Sequence, residues 1–275
     1  MWIVGKINPS ALKGCAILAA VIVGVPLLVV GVVGVKTWIP LQEAGEALDE
    51  LDRSLGSESA YVPERTGGIP AERMELFLKL RTSLVTACDG YGQVQKGFDS
   101  VAALEEKDSG NPDEVGDVAV GLGGAALAIT PFLARFFNQR NNALLDASMG
   151  LQEYSYIYAA AYHEFLLSEN TRNEIFSDGN ALSPEASIML VGCLSRQLEA
   201  MGHAEGESAQ HGALEAELKM MNGDPARLIW QDGLPDAVRE SVTPYRDQLD
   251  RSFCGATAGL EMDRDARRAI WVALY

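Results

Sequence analysis

The chain has 275 residues, enough for one sizeable hydrophobic core, and 48% of them are hydrophobic, which is typical of a folded protein. Its formal net charge of −16 argues against a nucleic-acid partner, because binding phosphates needs clustered lysine and arginine. The same charge disfavours adsorption to an anionic membrane surface.

The clearest signal lies near the N-terminus, where residues 14–35 read GCAILAAVIVGVPLLVVGVVGV without a charged side chain. A helix of this length spans the hydrocarbon layer of a bilayer, and proline is tolerated there. Lys6 and Lys13 precede the run and acidic residues follow it, so the positive-inside rule places segment 1–13 in the cytoplasm. The run is longer than a signal-peptide core, and no A-x-A cleavage pattern precedes Lys36. We therefore expect an uncleaved, single-pass anchor with the lipid bilayer as its partner.

Small residues recur along one side of this predicted anchor. Ala16, Ala20 and Gly24 are four residues apart, a spacing that permits close helix contact in membranes and predicts a homodimer. The same spacing is common by chance in spans rich in alanine and glycine, so it is a weak signal.

Residues 118–134 form a second uncharged run, and two interpretations of it stay open. Its glycines, Thr130 and Pro131 weaken its drive to insert into a membrane, which favours a close-packed helix buried in a protein core. Arg135 and Arg140 follow it, which suits a second span with a cytoplasmic C-terminal domain. We expect the first arrangement, with a single span.

Residues 37–275 show helical rather than alternating periodicity, so the predicted fold class is all-α. We expect one N-terminal transmembrane helix, followed by an acidic, bundle-like, multi-helix domain outside the cytoplasm. Predicted helices cover 40–54, a long stretch from Pro70, 113–136, 138–169, a segment that starts at Pro184 and stops at Gly202, ESAQHGALEAELKMM, LPDAVRESVTPYRDQLDRSF and RDARRAIWVALY.

The most distinctive stretch is GLQEYSYIYAAAYHEF, in which Tyr154, Tyr158 and Tyr162 are four residues apart and share one helix face. One interpretation is a polar face that binds a ligand or partner. We assign to it Glu153, Tyr154, Tyr158, Tyr162, His163, Glu164 and Arg140. The alternative, which we favour, is that the tyrosine rings are buried and that their hydroxyl groups form hydrogen bonds.

Motifs for metals, cofactors and catalysis are missing from the sequence. His163-Glu164 begins like the zinc-protease pattern H-E-x-x-H, but Leu167 stands where the second histidine belongs. Glycines interrupt the four-spaced ladder of Glu199, His203, Glu207 and His211. The chain has no P-loop, G-x-S-x-G or C-x-x-C motif. We expect no metal, cofactor or catalytic residues.

Four cysteines constrain the redox chemistry. Cys15 lies in the predicted span, whereas Cys88, Cys193 and Cys254 would face an oxidising compartment, where at most one internal pair can form among three. We expect Cys193 and Cys254 to pair if any disulfide forms, because both lie in the C-terminal half.

Together these observations predict a membrane-anchored, helical binding or scaffolding protein of the bacterial cell envelope, with a protein partner there. Two alternatives remain. One is an enzyme or metal-dependent protein that uses the Tyr/Glu/His face. The other is the two-span protein with a cytoplasmic C-terminal domain.

Overall fold

The computed structural model describes residues 39, 42–56, 61–85, 88, 115–168, 184–202, 208–224 and 227–264. The predicted anchor at 14–35, its dimer contact through Ala16, Ala20 and Gly24, and residues 265–275 of the predicted C-terminal helix lie outside these ranges. No helix in the described part is long and apolar enough to cross a membrane.

The secondary structure in these ranges is helical, and they contain no strand, in agreement with the predicted all-α class. The helices are α1 (42–55), α2 (71–85), α3 (Val115–Asp146), α4 (Leu151–Ala161), α5 (His163–Leu167), α6 (Pro184–Met201), α7 (Ser208–Gly223), α8 (Asp236–Val242) and α9 (Arg246–Ser252). Short 3-10 turns at Thr243–Tyr245 and Gly255–Thr257 follow α8 and α9.

Helix α4 is the centre of a helical bundle. Eight of its eleven residues are buried, so nearly its whole circumference contacts protein rather than water. Helices α6 and α8 pack against it, and Phe77 of α2 places its ring 5.5 Å from the ring of Tyr154. Side chains from α1 and α3 complete the same core, among them Leu51, Phe136 and Leu144.

The boundaries around α4 differ from the prediction. The predicted boundary between helices 113–136 and 138–169 is wrong, because α3 continues to Asp146. The rest of the second predicted helix forms two helices, α4 and α5. A tight turn with Ser148 at φ 47° separates α3 from α4, and Tyr162 separates α4 from α5. Apolar spacing continues through both interruptions, so periodicity could not reveal them.

The structure confirms one predicted helix end. Helix α6, which is described from Pro184 onward, ends at Met201 before Gly202, which adopts a φ of +59°. This left-handed conformation ends a helix at little cost only for glycine. The guanidinium of Arg65 then donates a hydrogen bond to the Met201 carbonyl at 3.0 Å, which satisfies one open carbonyl at the helix end.

The segment before α2 is also fixed to the core at a glycine. Gly67 has a φ of +75°, and its carbonyl accepts a 2.7 Å hydrogen bond from the hydroxyl of Tyr156. A Cβ atom at this position would lie 3.2 Å from that hydroxyl oxygen, so both conformation and space favour glycine.

The uncharged run 118–134 belongs to α3, a helix of 32 residues with Pro131 inside it. Leu133 and Ala134 are buried in the core. The burial of side chains 118–130 lies outside what the structure describes.

Candidate functional site

The four-spaced tyrosines form the interior of the bundle rather than an exposed face. Tyr154, Tyr158 and Tyr162 have no exposed surface, and their neighbouring ring centroids are 5.9 and 4.9 Å apart. Burial raises the pKa of Tyr154 well above its ordinary value, and the nearby Arg81 guanidinium only partly opposes this effect. These hydroxyl groups therefore stay protonated at neutral pH and cannot serve as bases.

A buried ion pair organises the tyrosine hydroxyls. The Arg81 guanidinium of α2 lies 2.5 Å from a carboxylate oxygen of Glu261, and both side chains are almost completely buried. Tyr154 donates to the other Glu261 oxygen at 2.6 Å and accepts from Arg81 at 3.0 Å. Thr257 adds a 2.7 Å hydrogen bond to the carboxylate. Such a pair is favourable only when its remaining polar atoms are satisfied, and these contacts satisfy them.

The other two tyrosines of the stripe differ from each other. The hydroxyl of Tyr162 lies 2.8 Å from that of Ser252 and accepts from Arg81 at 3.3 Å. The hydroxyl of Tyr158 is buried and has no hydrogen-bond partner among the described residues. Its ring contacts the Arg81 guanidinium instead, at 5.2 Å from the ring centroid, a cation–π distance.

Sequence reasoning did not single out Arg81 or Glu261. Arg81 follows Phe77 by four residues and precedes Leu84 by three, so it lies on the buried face of α2. An arginine at such a position predicts a buried acid partner, but the sequence could not identify Glu261, 180 residues away. The Arg81–Glu261 contact is therefore a tertiary feature.

Arg140, predicted as part of the ligand face, holds the C-terminal segment instead. It is fully buried on α3, and its guanidinium donates to the carbonyls of Glu261 at 2.9 Å and Asp263 at 2.7 Å. The same group contacts the side-chain oxygen of Asn141 and lies 4.7 Å from the ring centroid of Phe137. Burial lowers the pKa of Arg140, but a guanidinium stays charged at neutral pH.

The disulfide differs from the expected pair. Cys254 is bonded to Cys88, whereas Cys193 is a free, buried thiol, so the expected Cys193–Cys254 bridge is wrong. The reason is the contact between α2 and the C-terminal segment, because Arg81 also donates to the Ser252 carbonyl at 3.2 Å. Burial raises the pKa of Cys193 to about 11, so this thiol is unreactive at neutral pH.

The remaining residues of the predicted face lie apart from the tyrosines and from one another. Glu153 forms a two-bonded ion pair with Arg73 of α2, with both distances 2.6 Å. Glu164 is exposed and pairs with Arg246 of α9. His163 is 6% exposed and lines a cleft beside α5. The seven predicted residues therefore do not form one binding face.

An exposed groove lies between α1, the start of α4 and α6, and we call it the Ile188 groove. Its volume is about 350 Å³. Ile188 of α6 is 71% exposed beside it, more than the other exposed large hydrophobic side chains that the structure describes. The lining is Leu51, Asp52, Leu55, Gly56, Gly150, Leu151, Gln152, Glu185, Ile188, Met189, Gly192, Arg196 and Arg264.

The polar side chains of the groove are engaged in contacts that shape its walls. Asp52 of α1 pairs with Arg264, and Arg196 donates to the side chain of Gln152 at 2.7 Å and to the Tyr61 carbonyl at 3.1 Å. The space between these walls therefore presents apolar surface with fixed polar edges, as protein-binding grooves do.

Among the described residues, no group of three or more histidine, cysteine, aspartate or glutamate side chains is placed to hold a metal ion. His203 and Glu207 of the four-spaced ladder lie outside those residues, whereas His211 lies 3.8 Å from Glu215 on α7. No family model, curated protein or solved structure matches this chain.

Proposed function

We propose that the chain is a membrane-anchored, helical binding or scaffolding protein of the bacterial cell envelope, which docks a protein partner in the Ile188 groove. The observation that carries this proposal is the 71% exposure of Ile188 beside a groove of about 350 Å³. Ile188 lines the groove together with the partly exposed Met189 and Leu55, and apolar surface gathered in one place marks many sites that bind another protein.

The disulfide supports a location outside the cytoplasm. A bond between Cys88 and Cys254, which are 166 residues apart, is typical of proteins in oxidising compartments. The uncharged run 14–35 supplies the proposed anchor, with segment 1–13 on the cytoplasmic side.

The same contacts favour one span over two. The pairs Arg73–Glu153 and Arg81–Glu261 join residues before the run 118–134 to residues after it. If 118–134 were a second transmembrane span, it would put the two members of each pair on opposite sides of the membrane. The disulfide would be separated in the same way, so these contacts favour the single-span arrangement.

One observation favours the enzyme alternative. His163 lines a cleft, and burial lowers the pKa of its imidazole, as in many general bases. Its 2.7 Å hydrogen bond goes to the backbone carbonyl of Trp230, however, and not to a serine or cysteine side chain. That arrangement suits binding better than nucleophilic catalysis.

A photo-crosslinking experiment in native membranes tests the groove. A photoreactive residue at position 188 should give a discrete crosslinked product, identified by mass spectrometry, which Gly192→Trp abolishes by filling the groove. The matched control is position 220, where Met220 of α7 is also exposed but lies away from the groove. Equal products from both positions, or none from position 188, would contradict the proposed surface.

Two measurements test the location. The chain should remain in the membrane after carbonate washing, and a soluble form beginning near Lys36 would contradict the anchor. Reporters fused after residues 60, 112 and 275 should all lie outside the cytoplasm. A change of side between 112 and 275 would favour the two-span alternative.

A further inference from the structure

The His163 cleft is a second concave feature, and it shares no lining residue with the Ile188 groove. It consists of two adjoining hollows, of about 130 and 450 Å³, between α5, the turn 231–234 and helices α8 and α9. His163, Glu164, Leu234 and Arg239 line both hollows.

The hydrogen bond to Trp230 fixes the tautomer of His163. A backbone carbonyl can only accept, so the Nε2 atom that lies 2.7 Å from it carries the hydrogen. Burial lowers the imidazole pKa and keeps the ring neutral at pH 7. The Nδ1 atom of a neutral ring with hydrogen on Nε2 is a hydrogen-bond acceptor, and the hydrogen bond that the structure describes for this ring is made by Nε2.

A strained backbone holds this histidine in place. Trp230 has a φ of +58°, which is uncommon for a residue with a side chain and is concentrated at functional sites. The buried carboxylate of Glu217 accepts the Trp230 N–H at 2.7 Å, while the Trp230 carbonyl accepts from His163. The Arg227 guanidinium forms an ion pair with the other carboxylate oxygen of Glu217 at 3.3 Å. These groups orient the imidazole before any ligand arrives.

The smaller hollow combines apolar and charged surface. Its apolar lining comes from Ala160, Ala161, Phe165, Leu234, Val242 and Leu249. Its charged lining is balanced, with Arg239 and Arg246 opposite in sign to Glu164 and Asp250. Arg246 and Glu164 form an exposed pair, which stabilises the fold little and leaves both groups able to exchange partners.

We propose that the His163 cleft binds a small zwitterionic ligand of the amino-acid class with an apolar side chain. The volume of about 130 Å³ is well below that of a cavity for a drug-sized molecule. Equal numbers of cationic and anionic side chains match a ligand with one carboxylate and one ammonium group. The carboxylate pairs with Arg246, the ammonium group donates to His163 Nδ1 and to Asp250, and the side chain contacts Leu234 and Leu249.

Calorimetric titration of the full-length chain with L-leucine tests this site. L-Leucine should bind at millimolar concentration, whereas N-acetyl-L-leucine and L-leucinamide, which each lack one charge, should bind about tenfold more weakly or not at all. Absence of L-leucine binding, or equal binding of the three compounds, would overturn the proposal.

Three variants assign the binding to this cleft. His163→Gln keeps a donor for the Trp230 carbonyl but loses the imidazole acceptor, and Arg246→Gln removes an exposed cation; each should weaken L-leucine binding about tenfold. His211→Gln on α7 lies outside the cleft and should bind as the unchanged chain does. Unchanged binding in Arg246→Gln would overturn the assignment even if His163→Gln failed to fold. Neither result bears on the Ile188 groove.

Discussion

Two tyrosines of one buried stripe should respond differently to the same change, the replacement of tyrosine by phenylalanine. Tyr154 and Tyr158 lie one turn apart on α4, and both are fully buried. Both rings remain in the variants, so the packing and the 5.2 Å contact of the Arg81 guanidinium with ring 158 are kept. The comparison therefore isolates the two hydroxyl groups.

The structure gives the two hydroxyls different energies. Tyr154→Phe removes the 2.6 Å hydrogen bond to the Glu261 carboxylate and the 3.0 Å bond from Arg81. Each hydrogen bond to a charged group contributes about 1.5–3 kcal/mol, so the loss of two should cost at least about 3 kcal/mol of unfolding free energy. Tyr158→Phe removes a buried hydroxyl without a partner and should be neutral or stabilising by about 1 kcal/mol.

Urea unfolding of the full-length chain, followed by its helical circular dichroism with the disulfide intact, measures both variants. The unfolding midpoints should move in opposite directions, or only that of Tyr154→Phe should move. The slope of the unfolding free energy against urea concentration should stay constant. Equal losses would refute the reasoning, because they would show that the Tyr158 hydroxyl has a partner as good as Glu261.

Three further predictions follow from the buried groups. Arg81→Met should cost about 3–5 kcal/mol of unfolding free energy, because it leaves the Glu261 carboxylate unpaired. Arg239→Ala removes one member of an exposed ion pair and should cost at most about 1 kcal/mol in the same urea unfolding assay. The raised pKa values of Tyr154 and Tyr158 mean that the unfolded state ionises first, so their contribution to stability should be retained below pH 10.0 and fall as the pH rises above it. Because the chain has eight tyrosines, the tyrosinate absorbance of these two is measured as the difference from the Tyr154→Phe and Tyr158→Phe variants. That difference should appear only with unfolding, and its appearance in the folded chain would contradict the burial. Cys193, with its pKa raised to about 11, should resist alkylation at pH 8 in the folded chain and react after denaturation without reductant. Peptide mass mapping measures the labelling, and rapid labelling of Cys193 in the folded chain would contradict the prediction.

The local features of the fold were predictable from sequence. The position of Gly202 predicted the C-terminal end of α6, because glycine suits the left-handed conformation after the last helical turn. Helical periodicity predicted the all-α class. Such signals are available because they depend only on neighbours within one or two turns of the chain.

Helix interruptions and the disulfide were not predictable in this way. Periodicity continues through Ser148 and Tyr162, where the chain turns to bring α4 into the centre of the bundle. The Cys88–Cys254 bond depends on the packing of the C-terminal segment against α2, and sequence spacing contains no information about such a contact.

The candidate sites also combine features that the sequence determined with features that only the tertiary structure decided. The sequence alone determined an uncharged run long enough to span a bilayer, a strongly acidic chain and a four-spaced tyrosine stripe. Only the tertiary structure decided that this stripe is interior, because Arg81 and Glu261 meet there across 180 residues and supply the buried charges that bind its hydroxyls. It also decided that His163 faces a cleft, because the partner that orients its ring is a backbone carbonyl, at Trp230, which no side-chain pattern can reveal.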